Sequence, residues 1–139
     1  MTLTNDQWRT LRAALERIIP PDDEYPGAWE CGVGDYLAHQ FERDLSARLD
    51  DYREGLTALE AESTARFRQG FTTLTVQEQD TLLSHMEDDD VVTIWNVLPS
   101  RFFSLLVNAT AEGFYSEPEQ GGNRNAVSWE MVGFEERRQ

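Results

Sequence analysis

The sequence predicts an all-α chain, a single-domain bundle of about five helices with an ordered, irregular C-terminal tail. Three observations carry that prediction. Apolar residues recur at spacings of three and four through five separate segments, as the buried face of a helix requires. Two Thr-x-x-Gln/Glu sequences stand just ahead of such segments, where they can satisfy the free N–H groups of a first helical turn. No stretch alternates apolar and polar residues as a half-buried strand would, and no internal repeat is evident. The bundle is expected over residues 1–112 and the tail over 113–139, within the same domain.

Taken in order, Thr4 and Gln7 form a capping box, with Leu3 placed to staple against Trp8. Trp8, Leu11, Leu15 and Ile18 then share one face of a first helix from about Asn5 to Ile19, which Pro20-Pro21 stops. Pro20 to Gly34 reads as a long loop, rich in proline and glycine, pinned by Tyr25, Trp29 and Val33. Asp35 can cap a second helix that buries Tyr36, Leu37, Phe41 and Leu45 and ends near Arg43 or Asp44. In a third, Leu49, Tyr52, Leu56, Leu59 and Phe67 repeat at helical spacing, while Asp50, Asp51, Glu54, Glu60 and Glu62 are expected to face water. Gly70 marks its end, and Phe71 and Leu74 fold back onto the bundle.

Thr75 and Glu78 make the second capping box, opening a fourth helix that buries Leu82, Leu83 and Met86 and ends near Glu87. From Val91 to Glu112 the period is helical again, with Ile94, Trp95, Leu98, Phe102, Leu105, Leu106 and Ala109 inward; Pro99 must kink this helix or open a new one. Leu11, Leu15, Ile18, Phe41, Leu56, Leu59, Leu83, Phe102 and Leu106 are expected in one core. The tail behaves differently. Gly121-Gly122-Asn123 tolerates positive φ and Pro118 removes a donor, yet Phe114, Tyr115, Trp129 and Phe134 supply apolar area to hold the segment down.

Composition narrows the function. Twenty-six acidic against twelve basic side chains give a formal charge of −14, which repels nucleic acid and anionic membranes and favours basic partners. The single cysteine, Cys31, allows no internal disulfide and no thiolate zinc site. The longest apolar run, Phe102 to Val107, falls far short of the roughly 20 residues that span a bilayer. Met1 to Asp6 has neither the basic start nor the apolar run of a leader, so a cytoplasmic location is expected as the sequence stands, or a periplasmic one if a leader was removed or the partner carries the export signal.

Candidate chemistry is sparse. Glu87-Asp88-Asp89-Asp90 lacks the alternating acids and central glycine of a calcium loop and reads as a solvated charge run. Neither His39 nor His85 has the glutamate three residues earlier that a di-iron bundle uses. Gly32-Val33-Gly34 is no phosphate loop, and Cys31 beside Trp29 reads as a small packed residue. No catalytic, cofactor-binding or metal-binding residue is expected in the chain.

Motifs at both ends of the sequence nevertheless form a pattern. They are Leu3-Thr4 through Ile18-Ile19-Pro20-Pro21-Asp22, then Pro26-Gly27-Ala28 with Gly32-Val33, and finally Gly113-Phe114-Tyr115-Ser116, Pro118, Gly121-Gly122-Asn123, Trp129 and Gly133-Phe134. In their order and spacing the chain resembles the gluconate 2-dehydrogenase subunit 3 family, the small non-flavin subunit of bacterial glucose-methanol-choline type dehydrogenases. The twin-arginine leader frequent in that family is not seen here.

The resemblance implies that a separate large subunit holds FAD and oxidises a sugar or other polyol, passing electrons to a cytochrome c subunit or another acceptor. This chain would carry no cofactor, and would bind and stabilise that subunit. Phe114, Tyr115, Pro118, Gly121, Gly122, Asn123, Trp129, Gly133 and Phe134 are the expected contact residues, since aromatics offer large area with few rotors and glycines allow close approach. A tail that only covers one end of its own bundle would use the same residues. The alternative function is a free-standing acidic helical domain that binds a protein or a small ligand.

Overall fold

The computed structural model describes residues 3–20, 27, 29, 32–43 and 48–114, and all that follows refers to these. They form five α-helices and one 3-10 turn, and no strand occurs among them. Helix α1 (Asn5–Ile18) begins as expected: the Thr4 hydroxyl accepts from the Gln7 N–H at 3.1 Å, and the Gln7 side chain accepts from the Thr4 N–H at 2.9 Å. It ends at Ile18 because Ile19 precedes a proline, whose ring disfavours helical ψ in the residue before it; Ile19 sits at ψ 88°.

Helix α2 (Val33–Phe41) corrects the expected cap. Gly32, at φ 97°, is the N-cap, and Asp35 lies inside the first turn, where its charge still complements the helix dipole. The earlier start brings Val33 and Gly34 into the core. A Cβ on Gly34 would stand 2.5 Å from the Trp29 ring, so only glycine lets the helix lie this close to that indole. Phe41 ends α2, two residues short of the expected stop, and Arg43 closes a turn onto Gln40. Tyr25 and Leu45 lie outside the described residues.

Helix α3 (Leu49–Phe67) buries Leu49, Tyr52, Leu56 and Leu59, as their spacing predicts. Its end is Arg68 in the left-handed region (φ 59°) rather than Gly70, and the Ser63 hydroxyl satisfies the Gln69 carbonyl just beyond. A 3-10 turn (Phe71–Thr73) then folds Phe71 and Leu74 inward. It is held by the Phe71 N–H on Glu60 at 2.8 Å and by the Gln79 amide on the Phe71 carbonyl at 2.9 Å. Helix α4 (Val76–Glu87) starts on the predicted Thr75–Glu78 box and buries Leu82, Leu83 and Met86.

The largest departure follows. No helix forms between Asp88 and Leu98; helix α5 runs Pro99–Phe114, with proline at its first position, where the missing N–H has no intrahelical acceptor to lose. Phe102, Leu106 and Ala109 are inward as expected, whereas Ile94 and Leu98 are 92% and 59% exposed. The helices close around one core. Helix α1 packs on α3, α4, α5 and the 3-10 turn, and α5 packs on the other four helices. Of the nine expected core side chains only Ile18 is merely half-buried.

A line of aromatic rings crosses that core. Trp29 meets Trp8 edge-on at 6.3 Å, Trp8 meets Phe41 at 6.0 Å, Phe41 meets Tyr52 at 5.0 Å and Tyr52 meets Phe102 at 5.9 Å. Gly55 makes the last step possible, since a Cβ there would stand 2.5 Å from Phe102 Cδ1. Gly55→Ala should therefore lose stability, although alanine is the better helix former by about 1 kcal/mol. Overpacking of about 1–3 kcal/mol outweighs that gain. Urea unfolding should show a net loss, and Phe102→Leu added to Gly55→Ala should recover part of it.

Candidate partner-binding site

The expected contact residues Tyr115, Pro118, Gly121, Gly122, Asn123, Trp129, Gly133 and Phe134 lie outside the described residues, and Phe114 is described only as the last residue of α5. The root of the tail is well defined. Gly113 is buried, and a Cβ there would stand 3.0 Å from Tyr36 Cδ2 and 3.1 Å from Val33 Cγ1. The last turn of α5 thus lies against the first turn of α2, where Gly32 and Val33 belong to the second sequence motif. Buried Gly27 belongs to it too, whereas Pro26, Ala28 and Cys31 lie outside the described residues. The guanidinium of Arg12 stands 5.6 Å over the Trp29 ring, a cation–π contact that fixes this corner to α1.

At a second place a charge is buried. Glu62, expected to face water, is 1% exposed. Its carboxylate accepts from the Val92 N–H at 2.8 Å, the Thr93 N–H at 3.1 Å, the Thr93 hydroxyl at 2.5 Å and, at a longer 3.4 Å, the Trp95 indole N–H. Arg66 completes the set with an ion pair at 2.7 Å, while its other nitrogen donates to the Asp90 carbonyl. Burial alone would push the Glu62 carboxyl up. The hydrogen bonds from Thr93, Arg66, Val92 and Trp95 outweigh it and hold the group down at about 2, against an ordinary 4.5.

The acidic run is likewise structural rather than merely solvated. Asp89, at φ 57°, accepts from the Ser100 N–H at 2.7 Å and the Ser100 hydroxyl at 2.8 Å, capping α5 from eleven residues away. Asp90 stands 2.9 Å from His85 Nδ1. Among the described residues no group of three or more His, Cys, Asp or Glu could hold a metal ion, and no helix is long and apolar enough to cross a membrane.

A family model described as Gluconate 2-dehydrogenase subunit 3 matches residues 5–135, so bundle and tail are covered together. The chain belongs to that family. No curated protein and no solved structure matches it. As a gluconate 2-dehydrogenase subunit 3, it is a small accessory subunit of a dehydrogenase complex.

Sequence reasoning missed Glu62 in this subunit, though a signal was present: Glu62 follows Leu59 by three, on the stripe that includes Tyr52, Leu56 and Ser63. The folded pKa lies below the unfolded one, so the stabilisation is complete above about pH 4.5 and is lost as pH falls towards 2. A shift of that size corresponds to roughly 3 kcal/mol. Glu62→Gln loses the ion pair and turns an acceptor into a donor, so it should cost about 3 kcal/mol at pH 7. In urea titrations the gap between the native chain and the variant should narrow between pH 4.5 and 2.

Proposed function

We propose that this subunit binds the large FAD-containing subunit of a glucose-methanol-choline type dehydrogenase and holds it in its folded, flavin-loaded state. The family match over residues 5–135 carries the reading, because it takes in the tail as well as the bundle. In this reading the large subunit oxidises a CH–OH group of a sugar or polyol and passes electrons to a cytochrome c subunit or another acceptor. The small subunit contributes no cofactor. Its effect is mass action: a protein that binds only the native large subunit stabilises it by about 4 kcal/mol at a thousandfold excess over the dissociation constant.

The tail is the proposed grip, with Phe114, Tyr115, Pro118, Gly121, Gly122, Asn123, Trp129, Gly133 and Phe134 as its contacts. Its root supports that role, since the close approach at Gly113 anchors the start of the tail to α2. A second reading is a free-standing domain that takes a small ligand. It draws on a cleft of about 360 Å³ lined by Arg48, Tyr52, Arg101, Ser104, Asn108 and Glu112. Tyr52 is buried there, and burial, then the nearby Glu112 charge, raise its hydroxyl pKa.

Co-expression with the source's flavin dehydrogenase subunit separates the two. The complex should co-purify with bound flavin, and deletion from Ser116 onward should lower both its yield and its flavin content. Trp129→Ala should weaken association by about 2 kcal/mol or more while leaving the helical circular dichroism of the isolated chain unchanged. A complex that survives the deletion at full yield and activity would remove the tail from the interface.

A further inference from the structure

We propose that segment 91–98, between α4 and α5, is a second contact with the catalytic subunit, in which Val92, Ile94 and Leu98 enter an apolar recess rimmed by basic side chains; this rests on the function proposed above. Exposure alternates along the segment. Val92, Ile94 and Leu98 are 64%, 92% and 59% exposed, while Thr93, Trp95 and Val97 between them are half-buried. Three of the four large exposed apolar side chains among the described residues therefore fall within seven consecutive positions.

This is not a loose loop. Glu62 holds Val92, Thr93 and Trp95 from beneath, the Asn96 amide donates to Glu54 at 2.9 Å, and Asp89 ties the approach to Ser100. A buried carboxylate is used to fix backbone whose outer side chains, Val92, Ile94 and Leu98, stay largely exposed among the described residues. Apolar groups held rigidly in water lose little freedom on docking, which is the general advantage of a preorganised contact.

Charge selects the occupant. Glu87, Asp88, Asp89 and Asp90 lead into the segment and Glu54 lies beside Asn96, whereas residues 87–98 contain no lysine or arginine. Arg66 is already engaged by Glu62 and the Asp90 carbonyl, which leaves Arg101, exposed in the first turn of α5, as the cation next to the stripe in sequence, against five acids at Glu54 and Glu87 to Asp90. A second copy meeting this patch about a twofold axis would set acid against acid, and an anionic lipid surface would be repelled. A recess with an apolar floor and a basic rim complements both the stripe and its border.

The test uses the complex. Affinity of the purified chain for the co-expressed flavin dehydrogenase subunit would be titrated for the native protein, Ile94→Asp, Ile94→Ala and Leu98→Asp, at two salt concentrations. We expect Ile94→Asp to weaken binding about 30-fold or more, as truncation of a central contact does, and Ile94→Ala to weaken it less. Native binding should weaken with salt, and the circular dichroism of the isolated variants should stay unchanged, because Ile94 is 92% exposed and packs on none of the described core. Unaltered affinity in Ile94→Asp and Leu98→Asp, with the native complex intact, would overturn the second contact and leave the proposed function standing. Failure of the native chain to bind the flavin subunit would overturn both. A native dimer that Ile94→Asp dissociates, or binding restored to Ile94→Asp by removing the tail, would assign the stripe to another occupant and overturn the proposal.

Discussion

One buried carboxylate, Glu62, determines how the second half of the bundle is connected. Helices α4 and α5 pack on one another, so the chain between them must leave helical conformation. Backbone N–H groups brought against a bundle in that way need acceptors, because an unpaired one loses about as much as a hydrogen bond gives. Glu62 supplies two such acceptors from α3, and takes the Thr93 hydroxyl and the Trp95 indole as well. An ionised group in the interior is tolerated only when nearly every lone pair is used, and with Arg66 added that condition is met. The same carboxylate thereby fixes the connection that leads into α5, whose first turn Asp89 then caps through Ser100.

Elsewhere in the core, close approach of rings to glycines organises the packing. Gly34 admits the Trp29 ring, Gly55 admits Phe102, and Gly113 admits Val33 and Tyr36. Trp29, Trp8, Phe41, Tyr52 and Phe102 then form a continuous line of ring contacts from the loop before α2, across α1, α2 and α3, to α5. Gly32-Val33 of one motif and the root at Gly113 of another are therefore parts of one packed region. Their spacing in sequence reflects a contact in space.

Much of the fold was legible because helices announce themselves locally. Both capping boxes occur where Thr4 and Thr75 place them, and the stripes on α1, α3 and α4 face the core. The misreadings have separate causes. Ile94, Trp95 and Leu98 match a helical period by chance, and period alone does not weigh the β-branched run Val91-Val92-Thr93-Ile94, which resists helix and favours extended backbone. Glu62 lies on the buried stripe of α3, but its charge argued for water; only the donors arriving from thirty residues downstream reverse that balance. Asp35 looked like the cap of α2, whereas a glycine free to take φ 97° starts the helix earlier and buries Val33. The candidate contact residues of the tail rest on aromatic area and the close approach that glycines allow, and all except Phe114 lie outside the described residues.

The use made of the acidic side chains bears on function. Glu60 accepts the Phe71 N–H, Glu62 accepts those of Val92 and Thr93, and Asp89 accepts that of Ser100. These carboxylates act on the chain's own backbone, and the effect is to stiffen the connections between helices rather than to present a reactive group. Stiffness is what an accessory subunit gains most from. The stabilisation it confers on a partner follows its net binding free energy, which is the energy of the contacts less the cost of ordering its own segments, so each connection fixed in advance leaves more of the contact energy for the complex. In this chain the carboxylate buried beneath the turn is such a fixed connection, since it orders Val92, Thr93 and Trp95 before any partner arrives.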